Sequence, residues 1–495
     1  MENNIPIHLQ EIIFASSNTA ISRQLANLVK TGQIKKIAPR IYTSNFNESA
    51  ELIIRRNIFT IIGKLYPGAV LSHRSAFEFK PTTANQLFVT YTYTKKIELP
   101  GITIRFIEGI SAIEGDNLFS GNLFVSQQER AFLENLQTSR QVGPTSKTIT
   151  LPEIEGKLEQ IVQIKGEEGL NQLRDKTREI ANKLGMQTEF EKLNKLISAL
   201  LTTKPSRILT SPIALARALG NPYDKHRVEL FEKLFIELQQ QPYKDKQDVN
   251  NETNAFRNFA FFEAYFSNYI EGTIFEIEDA KSIIQTETPI PNRYEDSHDI
   301  LGTYKLVSNQ KEMSTTPSNS EDLLNILQYR HQILLGARTS KKPGQFKDKN
   351  NRAGETHFVD HNLVRGTLIK GFDYYQALRE PFVKAAYIMF MISEIHPFLD
   401  GNGRIARVMM NAELVKANQP RIIIPTVYRD DYLGALRRLT RNDDPKVYIR
   451  MMQRAQEFTA TLIANDMDAL ENHLRLSNAF KEHDEAKLKI IPFQY

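Results

Sequence analysis

The chain has 495 residues, of which 41% are hydrophobic and 24% charged, with a formal net charge of +5. No apolar run approaches the ~18 residues that a membrane-crossing helix needs. The absence of cysteine excludes disulfides, thiolate metal sites and a cysteine nucleophile. So small an excess of positive charge permits nucleic-acid or nucleotide partners without demanding them. At roughly 100–200 residues per domain the length suggests two to four domains. The N-terminus lacks a basic stretch followed by an apolar core, so a secretory signal is not expected and the cytoplasm is the expected compartment.

In chain order, residues 6–15 read as a helix, and Ser17-Asn18-Thr19 can cap a second helix over 20–31 through side-chain oxygens. That helix places Ile21, Leu25, Leu28 and Val29 on one face, and Gly32 is its natural stop. A β-branched, basic hairpin follows with Pro39 at its tip. Helix, helix and basic hairpin form the order of a winged helix-turn-helix over residues 1–50. Residues 51–204 read as an α+β extension, with a strand over 87–93 and a loop over 137–150. A charged amphipathic helix runs over 151–202 and is broken at Lys204-Pro205-Ser206. Residues 205–251 read as a helical connector, 252–460 as a helix-rich body and 461–495 as a helical tail ending in a polar stretch. Within the body, 381–395 is a helix with proline in its first turn and apolar residues on nearly every side, hence a central buried helix.

The chemistry concentrates in the twelve residues that follow, His396-Pro-Phe-Leu-Asp400-Gly-Asn-Gly-Arg404-Ile-Ala-Arg407. Pro397 and two glycines force a tight irregular loop, and a new helix begins near Asn402 or Gly403. Its free N–H groups make an anion site that glycines let phosphate approach closely. Arg404 and Arg407 share one helix face, and a guanidinium can donate two parallel hydrogen bonds to phosphate. Asp400 beside such a nest suits Mg²⁺, which takes oxygen ligands from carboxylate and substrate phosphates. His396 can accept a proton from an incoming hydroxyl at neutral pH, whereas the side chain of Phe398 is suited to anchoring the loop in the core.

This segment resembles the signature of the Fic (filamentation induced by cAMP) family, HPFx[DE]GNGRxxR. All eight fixed positions agree, and the acidic position is aspartate. The resemblance implies a mainly α fold, a Fic-type helical bundle with a β-hairpin flap, preceded here by the α+β N-terminal region. It implies transfer of AMP from ATP, with Mg²⁺, to a Tyr, Ser or Thr hydroxyl of a target protein or of the chain itself. His396 is then the general base and Asp400 the metal ligand. Gly401, Asn402 and Gly403 form the anion nest, and Arg404 and Arg407 hold the β- and γ-phosphates.

Upstream, Ser267-Asn-Tyr-Ile-Glu271-Gly272 is similar to the family's inhibitory pattern [ST]xxxE[GN]. Ser267 and Glu271 are four apart and so share a helix face, with Gly272 as a stop. The resemblance implies that Glu271 pairs with Arg407 and keeps the γ-phosphate from binding productively. An alternative for the same pocket is removal of AMP with Glu271 positioning a water.

Pro343-Gly344-Gln345-Phe346-Lys347 and the stretch after it resemble the PGxxR segment and the substrate flap. Ala353, Gly354, Glu355 and Thr356 are the flap candidates, although Lys347 stands where arginine is common and His361 where proline is common. Residues 338–352 carry six basic residues against Asp348, a charge that suits an acidic target patch. Tyr432, Leu433 and Leu436 resemble the adenine-pocket helix.

In the N-terminal third, GQIKKIAPRIY and Leu71-Ser-His-Arg-Ser-Ala-Phe77 resemble the winged-helix region of AbiEi-type antitoxins. That resemblance implies operator DNA as a partner, with Ser22, Arg23 and Gln24 in the major groove and Lys35, Lys36 and Arg40 on the wing. It also supports the alternative of a DNA-binding regulator with a nucleotide-sensing domain. His73 reads as a structural histidine. A homodimer is compatible with an inhibitory helix, and no membrane partner is expected.

Overall fold

The structure, a computed structural model, describes residues 7–201, 208–240, 242–243 and 245–492. The expected break at Lys204-Pro205-Ser206, the boundary between 204 and 205, Pro6 and the last three residues lie outside the described residues. The chain divides after Leu219 into two compact units.

The first unit opens differently from expectation. Of the helix expected over 6–15, the described residues 7–15 do not form one: a 3-10 turn at Ile7–Leu9 leads into a short strand, Ile13–Phe14. That strand pairs with Ile41–Thr43, which pairs with Lys35–Ala38, in a three-stranded antiparallel sheet. The apolar Ile13 and Phe14 are recruited by a strand partner some thirty residues away, which a local helical pattern does not reveal. The second expected helix is present as Thr19–Lys30. Asn18 caps it by accepting from the amides of Ala20 and Ile21, and Gly32 follows at φ 70°. Leu25 and Leu28 are its buried residues, whereas Val29, expected on the same face, is exposed.

A six-stranded mixed sheet follows in the order Lys95–Leu99, Ile102–Glu108, Gln86–Tyr91, Val70–Leu71, Leu123–Val125, Asn117–Ser120. Gln86–Tyr91 lies parallel to Ile102–Glu108, with Phe88 opposite Arg105. Leu87, Phe88, Val89 and Thr90 are all buried, as a central strand covered on both faces requires. His73 is a structural residue. Its ring meets Ser72 Oγ at 3.0 Å and Gln137 Oε1 at 3.1 Å, and its backbone amide donates to the Glu134 carboxylate. The long helix Leu151–Leu184 is interrupted at Gly166, where φ is 68°, and a further helix runs over Gln187–Leu201.

The second unit is helical, apart from a two-stranded hairpin. The helix Pro381–Ile395 is its centre, with Phe382, Ala386, Tyr387, Phe390 and Ile392 all buried. It packs against Asn402–Lys416, Val364–Ala377 and Lys225–Gln239. The expected connector is therefore not one piece. Pro212–Ala218 packs with the helices of the first unit, while Lys225–Gln239 belongs to the core of the second. The expected tail is likewise built in: Leu470, Leu474, Ala479 and Leu488 join the same core as Phe390 and Tyr448.

Candidate active site

The buried helix ends at His396, which sits in the left-handed region at φ 52°. The chain then turns back through Phe398, whose buried side chain anchors the loop as expected. Asn402 clasps the loop: its Oδ1 accepts from the Phe398 amide at 2.8 Å and its Nδ2 donates to the Phe398 carbonyl at 2.9 Å. Gly401, at φ 72°, caps the next helix, Asn402–Lys416, and a Cβ there would lie 2.9 Å from Leu335 Cδ1. The amides of Asn402, Gly403 and Arg404 stand in the first turn, where no carbonyl precedes them in the helix. Gly401 is less available than expected, because its amide donates to Asp400 Oδ1 at 2.7 Å.

His396 Nδ1 lies 2.6 Å from the Ser393 carbonyl. A carbonyl only accepts, so Nδ1 carries the proton and Nε2 holds the lone pair. The ring stacks on Phe358, centroids 3.5 Å apart and planes within 5°. Burial, the largest influence, pushes the imidazole down to about 4, while the Ser393 carbonyl and the Glu271 and Asp400 carboxylates pull the other way. The neutral, proton-accepting form therefore predominates above about pH 5 and is lost as pH falls through about 4. Any reaction that uses this base should show a rate flat between about pH 6 and 8, with no step at the ordinary imidazole value of 6.5. A pH–rate profile with a step near 6.5 would contradict that assignment.

The two arginines are held by consecutive residues of one helix, Thr253–Ile270. Arg407 Nε donates to Ser267 Oγ at 3.0 Å, and Nη2 donates to both the Ser267 carbonyl and Glu271 Oε1 at 2.8 Å. Arg404 Nη1 donates to Asn268 Oδ1 at 3.3 Å. Glu271 is the C-cap of that helix, and Gly272 follows at φ 90°. Burial pushes the Glu271 carboxyl up, but Arg407 and Arg404 outweigh it and hold the group below its usual range. Gly403 lies beneath it: a Cβ there would lie 2.2 Å from Glu271 Oε1, so the carboxylate would have to move aside.

Asp400 is half-buried; its Oδ2 has Lys341 Nζ at 3.5 Å, and Arg404 Nη2 is 4.0 Å from its Oδ1. Among the described residues no group of three or more His, Cys, Asp or Glu side chains could hold a metal. A single accessible carboxylate beside a helix start fits Mg²⁺, which completes its shell with substrate phosphates and water, and fits poorly a metal that needs several protein ligands.

The flap is a hairpin, Arg352–Ala353 paired with Thr356–His357, with Gly354 at φ 56° in the turn beside Glu355. Arg227 donates to the His357 carbonyl, and Arg441 donates to Thr356 Oγ1 at 3.2 Å. Lys347 is buried. Its amide donates to the Pro397 carbonyl at 2.9 Å and its Nζ to Asn351 Oδ1 at 2.7 Å, and burial pushes its ammonium down to about 8. His361 lies against Asn350 Oδ1 at 3.0 Å. Part of the basic run 338–352 is committed inside the protein. Arg338 serves three carboxylates, Lys341 faces Asp400, Lys342 pairs with Asp348 and Lys347 is buried. Lys342, Lys349 and Arg352 are its exposed cations.

Tyr432, expected at the adenine pocket, is buried, and its hydroxyl accepts from Arg407 Nη1 at 3.3 Å. Leu433 and Leu436 are half-buried.

In the N-terminal unit Ser22, Arg23 and Gln24 are exposed, as are Lys36 and Arg40. Lys35 curls back toward the Phe46 and Glu48 carbonyls, both at 3.4 Å. With no first helix among the described residues, the two-helix frame that would seat Ser22, Arg23 and Gln24 in a major groove is incomplete.

Two side chains unforeseen from the sequence complete the site. His331 stacks on Phe398 at 3.7 Å, accepts from the Gly344 amide at Nδ1 and places Nε2 3.1 Å from the Asp400 carbonyl. Asp299 binds Arg404 Nη1 at 2.6 Å. A histidine or aspartate on an amphipathic helix carries no local mark of such a role.

Residues 321–414 match the Fic/DOC family. The protein adenylyltransferase Fic of Drosophila grimshawi is 26% identical over 229 residues, 44% of this chain and 47% of the relative. That of Drosophila willistoni is 27% identical over 222 residues, 43% of this chain and 44% of the relative. The chain thus spans about half the length of the curated relatives it matches. Among solved structures, Fic-1 from C. elegans gives a TM-score of 0.36 at 16% identity, covering 66% of this chain and 88% of that one. The chain carries a Fic domain of the Fic/DOC family across residues 321–414.

Proposed function

We propose that the chain is a self-inhibited protein adenylyltransferase that moves AMP from ATP to a Tyr, Ser or Thr hydroxyl of a protein. The observation that carries this reading is the pairing of Arg407 with Glu271, which stands over the same loop as a histidine whose Nε2 is free to take a proton. The target hydroxyl attacks the α-phosphorus and its proton passes to His396 Nε2. The new O–P bond forms as the bond to pyrophosphate breaks. The first-turn amides and Arg404 bind the β- and γ-phosphates and orient the α-phosphate for in-line attack. Asp400 would hold Mg²⁺, which supplies charge neutralisation on the phosphates when bound. The flap would present its open edge to an extended target segment, as strand addition does elsewhere.

Glu271 occupies Arg407, so the γ-phosphate lacks its partner until the pair opens. The names of the relatives support the same chemistry. The direct test is incubation of the full chain with ATP labelled on either the α- or the γ-phosphate, followed by separation of protein. Label retained from the α-position alone fits adenylyl transfer. Label retained from the γ-position would instead make the chain a phosphoryl transferase and sink the proposal.

A further inference from the structure

The signature arginine Arg404 is not free in the site. Its guanidinium is buried, and Nη1 is taken by Asp299 Oδ2 at 2.6 Å and by Asn268 Oδ1 at 3.3 Å. Asp299 comes from the helix Tyr294–Val307 and is itself 1% exposed. The same Oδ2 accepts from Arg338 Nε at 2.8 Å. Arg338 is fixed in turn by Asp296, at 2.8 Å, and Glu295, at 3.0 Å. The result is a relay, Arg338 to Asp299 to Arg404, reaching from the rim of the unit to the start of the signature helix.

The relay uses one end of the Arg404 fork and leaves the other unused. Arg404 Nε is buried with no hydrogen-bond partner, and Asp400 Oδ1 lies 4.0 Å from Nη2, beyond hydrogen-bond reach. Nε and Nη2 form the side-on edge of a guanidinium, the edge that donates two parallel hydrogen bonds to phosphate. A buried donor left without a partner is costly, so an edge held without one points to a ligand that supplies it. A long arginine side chain loses much rotamer freedom when it binds, and an acid that fixes it beforehand lowers that cost.

We propose that Asp299 is a positioning residue for the nucleotide polyphosphate: shared between Arg338 and Arg404, its carboxylate fixes the Arg404 guanidinium so that the Nε–Nη2 edge meets phosphate oxygens. This rests on the reading of the site as an ATP site. The opposite role is also physically definite. An acid bound to Arg404 could compete with phosphate, and its removal would then tighten ATP.

The test is calorimetric titration of the full-length Glu271→Gly chain with ATP and with AMP, alone and combined with Asp299→Asn or Arg338→Gln. AMP lacks the phosphates that Arg404 would hold. Asp299→Asn is expected to weaken ATP about tenfold or more while AMP changes by less than about twofold, and Arg338→Gln to give a smaller shift in the same direction. ATP that binds unchanged or tighter in both variants overturns the proposal, as does an equal loss for AMP, which a merely structural role would produce. Should Asp299→Asn fail to fold, as judged by its thermal transition, Arg338→Gln at the more exposed end of the relay decides. If the parent binds no ATP, the nucleotide reading falls together with the relay. If it binds ATP and neither variant differs, only the relay falls.

Discussion

Replacing Glu271 by glycine is expected to raise AMP transfer to protein on the order of tenfold to a hundredfold. Arg407 is buried, and its Nη2 is shared between the Ser267 carbonyl and Glu271 Oε1 at 2.8 Å each. Removing the carboxylate leaves a buried cation short of one partner and open to phosphate, so the same change that frees the site also makes an anion more welcome. Ser267 and Tyr432 still hold the guanidinium in place, and the freed arginine should not collapse. The measurement is incorporation of α-labelled AMP by wild type and variant, alone and with cell lysate, at equal ATP. A variant that transfers no faster, but loses the ability to strip AMP from a modified protein, would show instead that Glu271 positions a water for AMP removal.

His396→Ala is expected to lower the transfer rate of the Glu271→Gly chain by a factor on the order of 10²–10⁴, the usual contribution of a positioned general base. The side chain is half-buried, and its contacts are a stack on Phe358 and one bond to the Ser393 carbonyl. Its loss should therefore spare the loop, which is held by Asn402 and Phe398. ATP affinity measured by titration should stay within a few fold, separating loss of chemistry from loss of binding. Retention of most of the transfer rate would remove His396 from the mechanism.

The site was legible in the sequence where its parts are local. Gly401 takes a left-handed conformation because a tight turn into a helix demands it, and Arg404 and Arg407 share a face because a helix repeats every 3.6 residues. The pairing of Ser267 and Glu271 was readable for the same reason: they fall one turn apart and both meet Arg407. The buried helix Pro381–Ile395 showed itself by apolar residues on every side. Local reading misled where a distant partner won. Ile13 and Phe14 look helical but pair with Tyr42 and Ile41 in a sheet. The basic run 338–352 looks like a free cationic surface, yet Arg338 and Lys347 are bound within the unit.

By itself the sequence determined the composition of the candidate site: a histidine, a glycine-lined helix start, two arginines and one carboxylate within twelve residues, with a glutamate 136 positions before Arg407. Only the tertiary structure decided how those groups are tuned. Packing stacks the half-buried His396 on Phe358, where desolvation pushes its imidazole down to about 4, and it slides Tyr432 under Arg407. It also sets His331, 69 positions before Asp400, against the Asp400 carbonyl. The physical reason is range. Backbone conformation and helix periodicity act over a few residues and leave their mark in adjacent letters. Desolvation and ion pairing act between side chains that meet only after the helices have packed.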